Sequence, residues 1–436
     1  MSKRWSIKAD WALLESGSPE ERAGFAALGI SAYGVCLTAG HDRLLRSVRE
    51  APFLSAYHLA EWLAWNWWRL RWEPRKSATE WELSHVMASI GNGYIWPNIQ
   101  ILSDGQNITL ASKPTPERAR TPYRYINDVV SVIPASDFET EVDVFIETVL
   151  RRLEDCQVAK SNLADIWQAV LEERRDAVLS QQRKLEALLG EDPGEMDEIS
   201  LQGLLNGAAL TGRDALEEIA ANRAPGQDVP DIGRLVELAR NEGVSARPRD
   251  RARLDSGTAF SVRAIPAWKV GVDAAQALRA RLSLDPNEAI PNRLLADLYG
   301  APATLLDDSP AAMAPEIDLS LVLTEGSEQS HVLLRSKWKT GRRFELARLL
   351  GDYVVYTTDE PMRPATRSAT YRQKVQRAFA AELLSPFQAV DDMLNSDYSM
   401  ESQQDVANHF GVSELTVRTL LVNHNRISRS ELDEIY

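Results

Sequence analysis

The sequence predicts an α+β protein, predominantly helical, with a Trp-rich α+β N-terminal part, a helical middle and a C-terminal part that carries a small antiparallel sheet. Three observations carry this reading. Apolar residues at Val142, Phe145, Ile146, Val149 and Leu150 follow the 3.6-residue period of a helix over 138–153, and 156–245 keeps a helical pattern almost throughout. Residues 94–102 and 107–110 are short β-type runs on either side of Ser103-Asp104-Gly105-Gln106, where Asp-Gly tolerates the positive φ of a tight hairpin turn. Residues 317–323 and 329–334 form a second pair of antiparallel strands about Gly326.

In chain order, 44–48 and 58–72 read as helical. The second places Trp62, Trp65, Trp68 and Trp72 at spacings of three, three and four, so the four indoles share one face. That face packs a core, or else Trp62 and Trp65 form a wall that stacks on a ligand. In the hairpin, Pro97 lacks the amide donor of a central ladder, which puts that strand at an edge. The middle segment breaks at Asp192-Pro-Gly and Ala224-Pro-Gly, and 241–256 has Gly and Pro but no sustained apolar period, the pattern of a linker. The expected organisation is 1–155, a Trp-rich α+β domain; 156–256, a helical connector; and 257–436, the C-terminal domain.

A chain of 436 residues exceeds one ordinary core. Its 44% hydrophobic and 26% charged residues are those of a soluble globular protein. No apolar run reaches the roughly 18 residues of a membrane span, and the start, Met-Ser-Lys-Arg-Trp-Ser, has no apolar core of a secretory signal. A cytoplasmic protein without membrane contact is therefore expected. Cys36 and Cys156 are widely separated and are expected as reduced, buried thiols. The net charge of −14 opposes general nucleic-acid binding. Residues 331–380 nevertheless hold eleven Lys/Arg against four acids, a local balance of +7. Such a run is a solvated face or a place where an acidic partner docks.

Residues 342–352 read Arg-Arg-Phe-Glu-Leu-Ala-Arg-Leu-Leu-Gly-Asp, and 379–386 read Phe-Ala-Ala-Glu-Leu-Leu-Ser-Pro. The first resembles the active-site helix of the ImmA/IrrE zinc metallopeptidases, in which Phe-x-Leu-Ala precedes His-Glu-x-Gly-His. The second resembles their Phe-Ala-x-x-Leu-Leu-Met-Pro. A helix over 274–284, led in by Pro266-Ala-Trp-Lys-Val-Gly271, and a short one within 291–300 match the start of that domain. The resemblance implies two histidines at i and i+4 that clamp zinc, a glutamate that takes a proton from the bound water, and a third ligand from another helix. On this sequence Arg348 and Asp352 stand at the histidine positions, Leu349 at the glutamate and Gln373 at the third ligand. Arg348 is permanently charged and has no acceptor lone pair. Leu349 cannot be a base and Gln373 is a poor ligand. No metal and no cofactor is expected; zinc would enter only through ligands not recognised here. Arg348 and Asp352 are four apart and are expected to pair in place of the metal, a contact worth about 0.3–0.5 kcal/mol on an exposed helix. With Arg342 and Arg343 they are the candidate binding residues of the basic run.

His41, His58, His85, His331, His409 and His424 never form His-x-x-x-His; His58 and His85 are the candidate pair within one domain. No phosphate-binding loop, dinucleotide glycine motif or Gly-x-Ser-x-Gly occurs. Residues 403–421 read as a helix-turn-helix, with Ala407 at the crossing, Gly411 in the turn, Ser413 as N-cap and Val417 buried. Its outward set, Glu414, Thr416, Arg418 and Thr419, is thin for a DNA reader, and in the resembled family this element is an ordinary part of the domain. The expected function is a non-catalytic binding or regulatory protein built on a degenerate peptidase scaffold, with a protein or peptide partner of acidic character. The family's bacterial setting would be stress response, mobile-element control or phage defence. The alternatives are an active zinc endopeptidase with unrecognised ligands and a DNA-binding transcriptional regulator.

Overall fold

The structure, a computed structural model, describes residues 4–158, 160–247, 252, 265–307, 317–326, 329–356 and 360–428. The chain is α+β and predominantly helical, with 51% helix against 17% strand. It divides into two compact units, residues 1–201 with 223–228, and residues 202–222 with 229–436. The segment 156–256, expected as a connector of its own, is shared between the two. The expected boundary at 256 lies outside the described residues. No helix among the described residues is long and apolar enough to cross a membrane.

The first unit opens with β1 (Trp5–Trp11), α1 (Pro19–Gly24), β2 (Phe25–Ala32), β3 (Val35–Cys36), β4 (Gly40–Asp42), β5 (Ser47–Arg49) and β6 (Phe53–Ser55). Then come α2 (Ala56–Trp65), α3 (Trp67–Trp72), α4 (Thr79–His85), β7 (Asn98–Ser103), β8 (Asn107–Lys113), β9 (Tyr123–Tyr125) and β10 (Val129–Pro134). Helices α5 (Ala135–Asp155), α6 (Asn162–Arg175) and α7 (Ala177–Leu189) complete it. Three antiparallel sheets result, β1-β2-β3 with β6 on β2, β5-β4-β9, and β10-β8-β7. The predicted hairpin is β7–β8, with β7 at the sheet edge beside Pro97 and Gly105 at φ +90 in the turn. Helix α5 buries Phe138, Val142, Phe145, Ile146 and Val149 as one stripe. At roughly 1.5–3 kcal/mol per fully buried large apolar side chain, that stripe is a main contributor to this core.

Three expectations for this unit are corrected. Residues 44–48 are not helical: they form the turn and strand that pair β4 with β5. Asp42 Oδ1 accepts from the amides of Leu44 and Leu45 at 2.9 and 3.0 Å and closes the turn locally, while Leu44 stays 81% exposed with no core to bury a helix face. The helix over 58–72 is interrupted at Asn66, whose side-chain amide donates to the Trp62 carbonyl at 2.8 Å. The break changes the phase of the stripe. Trp68 is buried, Trp62 and Trp72 are half-buried, and Trp65 is 59% exposed. Cys36 is half-buried and Cys156 exposed, so the second thiol is not a core group.

The second unit contains α8 (Glu198–Thr211, within which the division falls), α9 (Arg213–Ala221), α10 (Ile232–Glu242), β11 (Val244–Ala246), α11 (Ala267–Arg281) and α12 (Asn292–Tyr299). It continues through β12 (Ser320–Glu325), β13 (Gln329–Leu333), α13 (Lys339–Val355), β14 (Met362–Ala365) and α14 (Tyr371–Leu384). Its last helices are α15 (Phe387–Leu394), α16 (Met400–Phe410) and α17 (Glu414–Asn423). The predicted strand pair β12–β13 is the centre of a four-stranded antiparallel sheet, β11-β13-β12-β14. Strand β11 falls inside the expected linker: Val244 and Ala246 pair with Val332 and Ser330, and the rest of that linker beyond 247, Ala252 excepted, lies outside the described residues. Helices α11, α13 and α14 pack on one another around Leu278, Leu346, Leu350, Phe379 and Leu383.

Helices α11 and α14 approach backbone to backbone at Gly271. A Cβ there would meet the Val375 carbonyl and lie 2.7 Å from the Phe379 amide nitrogen. Gly271→Ala should therefore destabilise the protein by about 1–3 kcal/mol through overpacking, against the gain of about 1 kcal/mol that Ala brings to an open helix. The midpoint and slope of urea unfolding measure this.

Candidate functional site

The site is built where α13, β14 and α14 meet. Asp352 of α13 is fully buried, and its carboxylate is the centre. Arg372 of α14 forks onto it, Nε to Oδ1 at 2.7 Å and Nη2 to Oδ2 at 2.8 Å. Arg363 of β14 donates through Nη1 to Oδ2 at 3.1 Å, and Gln376 of α14 through Nε2 to Oδ1 at 2.8 Å. Arg372 and Gln376 are four residues apart, so one face of α14 presents both. Burial opposes ionisation of Asp352, but the charges of Arg372 and Arg363 outweigh it and hold the carboxyl below its ordinary 3.8. Burial would likewise lower Arg372, and the Asp352 carboxylate overcomes it and raises the guanidinium above its ordinary value.

Arg348, one turn earlier on α13, does not pair with Asp352. Its Nη2 donates to the Thr366 carbonyl at 2.6 Å and to Gln373 Oε1 at 2.5 Å. The ion-pair partners of Asp352 are Arg363 and Arg372. The expected contact is corrected on physical grounds: Arg372 reaches the carboxylate as a bidentate fork, the strongest geometry for such a pair, and Arg348 finds uncharged acceptors instead. Burial, aided by Arg377, pushes the Arg348 guanidinium down to about 9, still charged at neutral pH. Gln373 is spent in the same network: Oε1 also accepts from the Thr366 amide at 2.8 Å, and Nε2 donates to the Pro364 carbonyl at 3.1 Å. Leu349 is buried in the apolar core. Beyond this shell, Glu360 lies 3.6 Å from Arg372 Nη1, and Glu218 of α9 accepts from Thr370 Oγ1 at 2.7 Å. Burial raises Glu218 above the ordinary carboxylate range.

These residues do not fit a zinc ion. Both Asp352 oxygens are occupied by donors, two guanidinium groups beside them would repel a cation, and the Gln373 oxygen faces Arg348. The Asp352 carboxylate is held as an acceptor and Leu349 lies in the core, so neither stands as the base that the resemblance implies. The hydrogen bonds and ion pairs of Asp352 tie two helices and an edge strand together.

The other candidates fall elsewhere. Arg342 is buried and donates to the carbonyls of Asp307 and Lys337. Arg343 is buried as well; Nε donates to the Gly411 carbonyl at 3.0 Å, Nη2 to Ile290 and Phe410 carbonyls at 2.8 and 3.3 Å, and Nη1 to Asn292 Oδ1. With Arg348, Arg363 and Arg372, they make much of the basic run interior rather than a solvated face. Trp62 is half-buried and donates through Nε1 to the Leu83 carbonyl at 3.1 Å, and Trp65 is the exposed indole of the stripe. His85 is buried between the Trp81 and Arg69 carbonyls, its imidazole pushed by burial down to about 3, while His58 lies beside Glu61; the two share no bond. The helix-turn-helix is α16 and α17, with Gly411 at φ +64 and Ser413 Oγ capping Thr416 N at 3.2 Å. Arg418, expected to face outward, is buried and donates to Gln403 Oε1 at 3.4 Å, leaving that helix without an outward arginine.

Sequence reasoning missed Arg363, Arg372 and Gln376. The i, i+4 spacing of Arg372 and Gln376 around Gln373 was a usable signal; Arg363 enters through β14, a strand that no hydrophobic alternation marks. No family model, curated protein or solved structure matches this chain.

Asp352→Asn removes the charge, leaving Arg372 only the longer contact to Glu360 and stripping Arg363 of its Asp352 partner, so it should lower unfolding stability at neutral pH by about 3–5 kcal/mol. Because the folded-state carboxyl lies below its ordinary 3.8, its contribution is present above that pH and is lost as pH falls through the lowered value. Urea unfolding across this acid range should show a smaller pH dependence in Asp352→Asn than in the wild type.

Proposed function

We propose that the second unit is an ImmA/IrrE-like peptidase scaffold whose metal site has been replaced by the Asp352 network, and that the protein acts by binding rather than by cleaving. One observation carries this. Positions 348, 352 and 373, which the resemblance assigns to a single zinc ion, converge on one buried cluster, and that cluster is filled by guanidinium and amide donors. The order α11, α12, strand pair, α13, α14 supports the same scaffold. A replaced metal site on a retained frame suits a regulatory role with an acidic protein or peptide partner in a bacterial cytoplasm. Stress response, mobile-element control or phage defence enters only by analogy of fold. The buried Arg418 weighs against DNA reading through α17.

The test is metal content. The full chain, equilibrated with Zn²⁺ and then dialysed, is expected to retain far less than one equivalent by mass spectrometry, and to leave unstructured protein substrates intact. A full equivalent of zinc that disappears in Asp352→Asn would overturn the reading in favour of an active endopeptidase.

A further inference from the structure

Beside the start of α13 lies an open groove of about 390 Å³, with Ile317, Asp318, Arg335, Lys337, Trp338 and Arg367 on its walls. None of these was singled out by the site above, and their chemistry differs from it. The Trp338 indole is 77% exposed, the most exposed tryptophan among the described residues. Lys337 and Arg367 are exposed, and among the described residues neither side chain has a hydrogen-bond or ion-pair partner; Arg367 is held only by its backbone amide, which donates to Asn222 Oδ1 at 2.8 Å. Arg335 is half-exposed and steadied by Glu345 Oε1 at 3.2 Å, and Glu345 Oε2 also takes the Ser336 amide at 2.9 Å, so this wall is fixed. The one carboxylate of the lining, Asp318, already has an interaction of its own.

Arg335 is paired with Glu345, so Lys337 and Arg367 supply the positive field of the groove against Asp318, in a chain whose net charge is −14. A planar indole next to them adds a face on which an aromatic ring can stack. The volume is that of a small-molecule site, at the lower end of the usual range of about 300–1,000 Å³, and too small for an extended chain. We propose that this groove binds a nucleoside phosphate, with the base stacked on Trp338 and the phosphate held by Arg335, Lys337 and Arg367. The inference goes beyond the binding reading above and does not depend on it: the zinc result and the groove's occupancy can each fail without the other.

AMP titrated into the full chain by calorimetry at low salt is the experiment. Saturable binding of one AMP per chain is expected, weakened about tenfold or more in Trp338→Ala. It should be lost in Lys337→Glu with Arg367→Glu and weaken steeply as salt is raised. All three positions are exposed, and circular dichroism verifies that the variants stay folded. Inorganic phosphate alone should bind at least tenfold more weakly than AMP. Absence of saturable AMP binding would overturn the proposal, as would binding indifferent to Trp338→Ala. Phosphate, or a hexaglutamate peptide, binding as tightly as AMP would also overturn it, the first removing the stacked base and the second making the groove a site for acidic peptide.

Discussion

A fully buried carboxylate has to be neutralised where it lies, and Asp352 imposes that requirement on three elements at once. The fork from Arg372 fixes α14 in rotation against α13, and the contact from Arg363 brings the last strand of the sheet to the same point. Gln376 completes the shell and ties it, through the Pro364 carbonyl, back to the strand. Such an arrangement adds little net stability over an apolar core, because desolvation consumes most of the Coulombic gain. What it adds is uniqueness: a helix turned or slid by one residue would strand a charge in the interior.

The same reasoning explains why so many arginines sit inside this unit. Arg343 and Arg348 end on main-chain or amide oxygens, which accept hydrogen bonds without adding negative charge. Burial therefore lowers both from their ordinary values, whereas Arg372, with its carboxylate, is raised. Charge density in the sequence and charge on the surface are different quantities here. Lys337, Lys339 and Arg367 are the exposed residues of the basic run, and two of them line the groove.

Much of the frame was legible in the residues. The hairpin at Asp104-Gly105, the stripe of α5, the β12–β13 pair and the cap and turn of α16–α17 all follow from local chemistry, and the structure places them where periodicity and turn residues put them. Two kinds of feature were not legible. One is local competition between close alternatives: the Asn66 side chain bonds the Trp62 carbonyl where the helix is interrupted, and Asp42 closes a turn where Leu44, Leu45 and Val48 suggested a helix. The other is long-range pairing. Arg348 and Asp352 share a helix face, but which partner each takes is set by α14 and β14, and no spacing within α13 encodes that.

Arg343 joins α13 to the start of α12 and the end of α16 mainly through the carbonyls of Ile290, Phe410 and Gly411. Every residue type carries a main-chain carbonyl, so the side chains at 290 and 410 are free to vary with whatever else they must pack against. The burden of the joint falls on one side only: a single guanidinium and a left-handed turn at 411. A fold seamed in this asymmetric way can diverge widely in sequence around its helix-turn-helix while the element keeps its seat on the domain.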